Sequence, residues 1–414
     1  MTSDRRIEEM WGQYNRAKEL IPGGSGTMSK APVREKHPHA PALIVRGEGC
    51  RVWDAAGRCF IDFRNALGPV TLGYSNEQVK EAIRKQLDNG IVFGHPSPLE
   101  GELAEKLVRL IPCAEQVRYL KTGGEAMGAA LRLARAFTRR PVVLSCGYHG
   151  WINNTSGGRV GNPPEMAKLG RFLPWNNLEA FEQAVAEVGA ENVAAISVAM
   201  PYADIYPNHP FYGQLRALAD RIGALLIYDE IVTGFRVRIG GAQEFFNVIP
   251  DLAVFSKGLA AGMPISVFCG RADVMAHAAT IPVSSTFSGE TLSIAAALAT
   301  IDIYENQGVI EHLWARGEQL TKGLNEIFTR HAFPMQVKGL PPCAAWSVGG
   351  ENWNAVGQTH SQSASSIMDA FIDACYANGV SLYTVLYPNF AHTEADIAEA
   401  LERIDKAVGS IKLG

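Results

Sequence analysis

This 414-residue chain has no CxxC pair, no long apolar run, no large excess of one charge and no internal repeat. Each absence removes a class of protein. Its seven cysteines (Cys50, Cys59, Cys113, Cys146, Cys269, Cys343 and Cys375) are odd in number and scattered. They suit neither a disulfide framework nor a zinc site, and read as small buried hydrophobes. A formal net charge of −4 gives no electrostatic case for nucleic acid or an anionic membrane. The longest apolar run, residues 193–200, is too short to span a bilayer. The opening MTSDRRIEEMWGQY lacks the apolar core of a signal peptide, so a cytoplasmic protein is expected. With 47% hydrophobic and 19% charged residues the chain reads as soluble and globular. Its length exceeds one ordinary core, which predicts two domains.

What is present has a clear order. Ile7, Trp11, Tyr14, Lys18 and Ile21 fall at helical spacing, and Pro22-Gly23-Gly24 ends that helix. ALIVRGEGCRVWDAAGRCFIDF alternates around Ala56-Gly57 and predicts an antiparallel meander. Residues 78–110 are helical in pattern, broken at Gly94-His95-Pro96. Short apolar runs then alternate with amphipathic stretches: VRYL, PVVLSC, VAAISVAM, ALLIYDE, LAVFS and ISVFCG. That texture predicts βαβ units and a mostly parallel sheet. Helical patterns return at 309–328 and 394–411. The expected division is a large domain of residues 71–305, and a small domain built from residues 1–70 and 306–414.

Chemistry concentrates at strand ends. Asp229 closes ALLIYD and Lys257 follows LAVFS, where open α/β sheets bind ligands. An acid and an amine so placed are either a buried ion pair or two handles of a cofactor site. Between VRYL and a long helical stretch stands Lys121-Thr122-Gly123-Gly124-Glu125. Glycines at a strand-to-helix turn bring backbone N–H groups and the helix dipole to an anion, while Thr122 equally suits a plain helix cap. The turn matches neither a P-loop nor a dinucleotide fingerprint. After PVVLSC comes Gly147-Tyr148-His149-Gly150. Tyr148 can stack on a flat ligand or simply close the core, and His149 alone is weak evidence. Together, a phosphate cradle, an aromatic, an acid and a lysine suit pyridoxal phosphate. Its aldehyde would bond Lys257, and Asp229 would keep its pyridine nitrogen protonated.

DEIVTGFR, SKG, the TGGEA turn and Gly-Tyr-His-Gly resemble the class III pyridoxal-phosphate-dependent aminotransferases, most closely the glutamate-1-semialdehyde 2,1-aminomutase branch. The resemblance implies an α/β fold, the fold type I transferase, with a small α+β domain from both termini beside the large sheet. It implies Lys257 as the Schiff-base lysine and proton carrier, Asp229 as partner of the pyridine nitrogen, and Ile231 and Tyr148 on opposite ring faces. Thr122, Gly123 and Gly124 correspond to the phosphate turn. Ser285 and Thr286 resemble the segment by which a second subunit reaches the phosphate, implying a homodimer with shared active sites. Glu230 and Arg236 read as structural polar groups.

The chain departs from that branch where substrate is met. Relatives have Ser-Pro-Val-Arg after the early Gly-Gly turn, the arginine facing a substrate carboxylate. Here the segment is Thr27-Met28-Ser29-Lys30-Ala31-Pro32-Val33-Arg34, so Lys30 or Arg34 is expected in that place. Leu67 stands for a tryptophan and Thr384 for a glutamate. With Tyr383, Tyr387 and Asn389 nearby, the expectation is an aminotransferase acting between an amino acid donor and a ketone or aldehyde acceptor, an oxo-sugar among them. The rivals are an aminomutase or epimerase, and a non-catalytic protein keeping the fold. The latter predicts loss of Lys257 or Asp229, and both are present.

Overall fold

The computed structural model describes residues 3–152, 160–353 and 359–412. Helix α1 (Ser3–Leu20) opens the chain, burying Met10, Trp11 and Tyr14 on one face. The meander follows as β1 (Ile44–Glu48), β2 (Arg51–Asp54) and β3 (Cys59–Asp62), all antiparallel. Helices α2 (Glu77–Leu87) and α3 (Pro98–Leu110) each start on a side-chain cap, Asn76 and Ser97, as capping preferences require.

Seven strands form the main sheet: β4 (Gln116–Leu120), β5 (Val142–Cys146), β6 (Gly170–Phe172), β7 (Val193–Ala199), β8 (Leu225–Asp229), β9 (Leu252–Phe255) and β10 (Ser266–Gly270). Their order is β4-β10-β9-β8-β7-β5-β6. Strands β5 to β9 pair in parallel, whereas β10 runs antiparallel to both β9 and β4. The sheet is thus mostly parallel, as the alternating texture predicts, and ISVFCG supplies its antiparallel strand. The link of residues 256–265 is too short for a parallel crossover, which takes about a dozen residues or more. Two antiparallel pairings in succession return β4 to the direction of β9. The carboxyl ends of β4, β5, β8 and β9 therefore share one edge of the sheet.

The apolar runs that predicted these strands are buried on both faces: every residue of β5, β8, β9 and β10 is buried, as sheets covered on both sides demand. Helix α4 (Gly123–Thr138) packs its Ala126, Met127, Ala130 and Leu133 on one side. Beyond it lie β11 (Met335–Lys338), β12 (Ala345–Val348), β13 (Glu351–Asn352) and β14 (Val380–Ser381). Strand β14 pairs in parallel with β3, Val380 facing Ile61, so the two ends of the chain share one sheet. A hydrophobic cluster joins Trp11, Phe60 and Phe63 to Trp346, Phe371 and Ile404. The helix Val309–Arg330 links the cores, giving Val309 and Leu313 to the sheet's cluster and Leu320 and Leu324 to this one.

Candidate active site

Four strand ends meet at one cavity of about 1050 Å³. Its floor begins at the turn after β4. Thr122 is the N-cap of α4: its hydroxyl accepts from the Glu125 N–H at 3.3 Å, and the Glu125 carboxylate accepts from the Thr122 N–H at 2.8 Å. The hydroxyl is thus used by the helix, and Gly123 and Gly124 bring backbone to the cavity wall. Ile231 packs directly on Gly123: a Cβ there would stand 2.4 Å from Ile231 Cδ1, so that side chain would have to move. The turn after β5 comes equally close. Gly150 has φ +85°, and a Cβ on it would meet the Gly124 Cα at 2.8 Å, so the two backbones touch through glycine alone.

Tyr148 lines the cavity and is about half exposed. His149 next to it is fully buried. Its Nδ1 lies 3.1 Å from Asp229 Oδ2 and its Nε2 3.4 Å from the Ser197 hydroxyl on β7. Asp229 Oδ1 accepts from the Ile231 N–H at 3.1 Å. The carboxylate is therefore oriented by a ring and a backbone amide. Among the described residues no ion pair within 4.0 Å joins it to Lys257, which removes the buried ion pair as an account of the two charges.

Lys257 follows β9 with φ +34°. Burial, opposed in part by Asp229 and aided by Arg236, brings its amine down from 10.5 to about 8. A lysine so desolvated exchanges a proton near neutrality. Over it runs a strained turn, in which Asn65, Ala66 and Leu67 have φ of 51°, 51° and 74°. Each such residue costs about 1–2 kcal/mol. The turn is held by the Asn65 N–H donating to Asp62 at 2.8 Å, Asn389 donating to Asn65 at 3.2 Å, and Arg236 donating to the Gly68 carbonyl at 2.7 Å. Arg236 also donates to the carbonyls of Pro342 and Pro388. Glu230, raised by burial to about 7, accepts from the N–H groups of Ala242 and Gln243. Both are structural groups, as expected.

The substrate side is arranged otherwise than expected. Leu67 lines the cavity with Thr27 and Ser29. Lys30 and Thr384 line a separate cavity of about 590 Å³ beside it. Arg34 lines neither cavity; it bonds Glu8 and stacks 5.3 Å from the Trp11 ring, both on α1. That ion pair and stack draw the guanidinium away from the lysine. Asn389 is fully buried in hydrogen bonds with Asn65 and Ala391 and does not reach the cavity. Ser285 and Thr286 line neither cavity of their own chain. Arg64 was not anticipated: it stands 4.6 Å over the Tyr383 ring and donates to the Ser29 carbonyl. Nor was Tyr202, which lines the cavity and shares a hydrogen bond with Tyr387. Neither stands in a motif, and although Asn65 and Gly68 bracket the strained turn, Ala66 and Leu67 carry no signal for the positive φ they adopt. Among the described residues no His, Cys, Asp and Glu cluster could hold a metal, and no helix is long and apolar enough to cross a membrane.

A desolvated lysine, an oriented carboxylate and a glycine turn at a helix N-terminus, all on one sheet edge, define an α/β group-transfer enzyme. The chain belongs to the class-III aminotransferases, whose family model matches residues 32–408. It is 32% identical over 422 residues to a glutamate-1-semialdehyde 2,1-aminomutase of Archaeoglobus fulgidus, covering 95% of this chain and 98% of that one. It is 33% identical over 431 residues to the enzyme of the same name from Thermus thermophilus, covering 98% and 99%. Among solved structures it superposes on the FumI protein of a Sphingopyxis species, in its PLP internal aldimine form, with a TM-score of 0.86. That match has 26% identity and covers 98% of this chain and 96% of the other.

Proposed function

We propose that the chain is a pyridoxal-phosphate-dependent aminotransferase that moves an amino group from an amino acid to a ketone or aldehyde, an oxo-sugar among the acceptors. The observation that carries this reading is Lys257, a buried amine brought down to about 8 in the cavity that also holds Asp229 and the Gly123–Gly124 backbone. The residues fit the cofactor: at the turn where its phosphate would lie, Gly124 and Gly150 bring two backbones too close for a Cβ at Gly150, and the carboxylate and the amine are not spent on each other. When bound, pyridoxal phosphate supplies an aldehyde and an electron-accepting ring.

The protein's own groups do the rest. Gly123 and Gly124 would hold the phosphate at the positive end of α4, while Ile231 and Tyr148 would flank the ring. Asp229, kept in place by His149 and the Ile231 N–H, would hold a proton on the ring nitrogen. Lys257 would carry the proton to and from the substrate carbon, and burial fits its amine for that work near neutral pH. Tyr202, Tyr387, Thr27 and Ser29 line the cavity, and their hydroxyls offer donors to a hydroxylated acceptor.

The same reading takes the enzyme as a cytoplasmic homodimer, with Ser285 and Thr286 reaching the partner's phosphate turn. Exposed Phe287, Ile91, Val92 and Phe93 support this, as Thr291 anchors to the Ile91 carbonyl at 2.8 Å. It divides the chain into a large domain of 71–305 and a small one of 1–70 and 306–414, supported by the β3–β14 pairing. The second reading, an aminomutase, is favoured by the names of the relatives above. Against it, no arginine lines the Lys257 cavity among the described residues.

Half-reaction spectroscopy tests the proposal. A near-visible absorbance band should shift on adding an amino donor, and the band should be missing in Lys257→Ala. A spectrum unmoved by every donor sinks the transaminase reading. Turnover of one substrate without a keto acceptor favours the aminomutase.

A further inference from the structure

The cavity of about 590 Å³ has no part in the chemistry above. It lies under residues 24–33, between the meander and the helix Gln362–Ala377. It abuts the Lys257 cavity across Ser29 and Tyr383, which line both. It is a cleft open to solvent beside Met28 and Ile44, and a volume of this size is that of a small-molecule site. Leu43, Val52, Met368, Ile372 and Leu382 make much of its wall apolar, with Lys30, His37 and Arg64 as the basic groups along it. The carboxylates that reach it are already engaged: Asp369 pairs with Lys36 at 2.9 Å, and Asp62 accepts from the Tyr74 hydroxyl at 2.7 Å and the Asn65 N–H at 2.8 Å. An apolar guest would leave no new carboxylate unpaired there.

Resting on the aminotransferase reading, we propose that this cavity receives the apolar body of the amino donor while the donor's nitrogen lies at Lys257. The boundary between the two compartments is a single device. Arg64 stacks on the Tyr383 ring at 4.6 Å and donates to the Ser29 carbonyl, so one guanidinium holds both parts of the partition. A long side chain displaces that ring and turn together, and a short one stays in the first cavity. Donor and acceptor occupy the enzyme in turn, as transfer through a covalent relay requires. A polar acceptor can therefore use the first compartment alone.

The test is a donor series of alanine, norvaline, norleucine and longer straight-chain homologues, followed by half-reaction rates in the holoenzyme. Transfer of a methylene from water, ~0.8 kcal/mol, corresponds to up to about fourfold in kcat/KM per carbon once the chain crosses the partition. Ile44, half-exposed on β1 at the cavity's far side, is replaced by tryptophan to fill the space. Ile44→Trp should flatten the rise and leave alanine unaffected. A flat or falling series in the unaltered enzyme overturns the proposal, as does an Ile44→Trp variant that slows alanine and the long donors alike. The unaltered series decides by itself if the variant does not fold. Absence of any half-reaction with alanine and every homologue would instead count against the aminotransferase reading.

Discussion

The floor of the Lys257 cavity and its mouth are built on opposite principles. The floor comes from four strand ends of one sheet, and its groups are fixed by backbone: Gly124 against Gly150, Asp229 on the Ile231 N–H, and Lys257 directly after β9. The mouth comes from Thr27, Ser29, Leu67 and Tyr383, distant in sequence and joined by side chains such as that of Arg64 on Tyr383. A sheet edge tolerates little change, because a moved strand end moves everything beside it. Side-chain contacts can be exchanged without disturbing the sheet. The groups proposed for the chemistry therefore stand on the floor, and those expected on the substrate side stand at the mouth.

The largest expected break of that contrast is Lys257→Ala. Removing the proton carrier should slow the amino-donor half-reaction by about 10³-fold or more, read as loss of the spectral change in a protein whose circular dichroism is unaltered. Gly150→Ala comes next. A Cβ at φ +85° and 2.8 Å from the Gly124 Cα should lower stability by about 2 kcal/mol, measured by denaturant unfolding, and weaken cofactor retention on dialysis. His149→Phe keeps the ring volume and removes the Asp229 partner. About a tenfold slower half-reaction with little change in melting temperature would mark a positioning role; an unchanged rate would assign His149 to packing.

Two smaller effects sharpen the contrast. In the cofactor-free protein, acylation of Lys257 by a neutral reagent, read by peptide mass spectrometry, should rise with pH through about 8 rather than 10.5. The sign follows from burial: the unfolded chain binds this proton more tightly, so the group's contribution to stability is lost as pH falls from 10.5 to 8. Arg34→Ala should do least. Its ion pair with Glu8 is exposed and screened by solvent, so little change in melting temperature and an unchanged half-reaction are expected. A large loss of activity would return Arg34 to the substrate side.

Much of the floor was legible in the sequence. The apolar runs, the residues that end them and the glycine turn name Asp229, Lys257 and Gly123–Gly124, because a buried strand must be apolar and its end is the first place a polar group can stand. The direction of β10 was not legible, since an apolar run looks the same in either orientation and only the short link of residues 256–265 decides it. The mouth was the least legible. Lys30, Arg34 and Thr384 were placed by position in a motif, yet Arg34 is held by Glu8 and Trp11 on another element. Arg64 and Tyr202 carry no local signal, and in the turn after Asn65 both Ala66 and Leu67 are residues that ordinarily avoid positive φ.

By itself, then, the sequence determined the strand and helix pattern and the identity of the acid, the amine and the glycine turn. These follow from local rules of burial, capping and backbone freedom. Tertiary structure alone decided that Asp229 faces His149 rather than Lys257, that Lys257 is desolvated to about 8, and that Arg64 and Tyr383 divide two cavities. Each of those depends on which distant segments meet, and the balance of burial against partners is set only when they do.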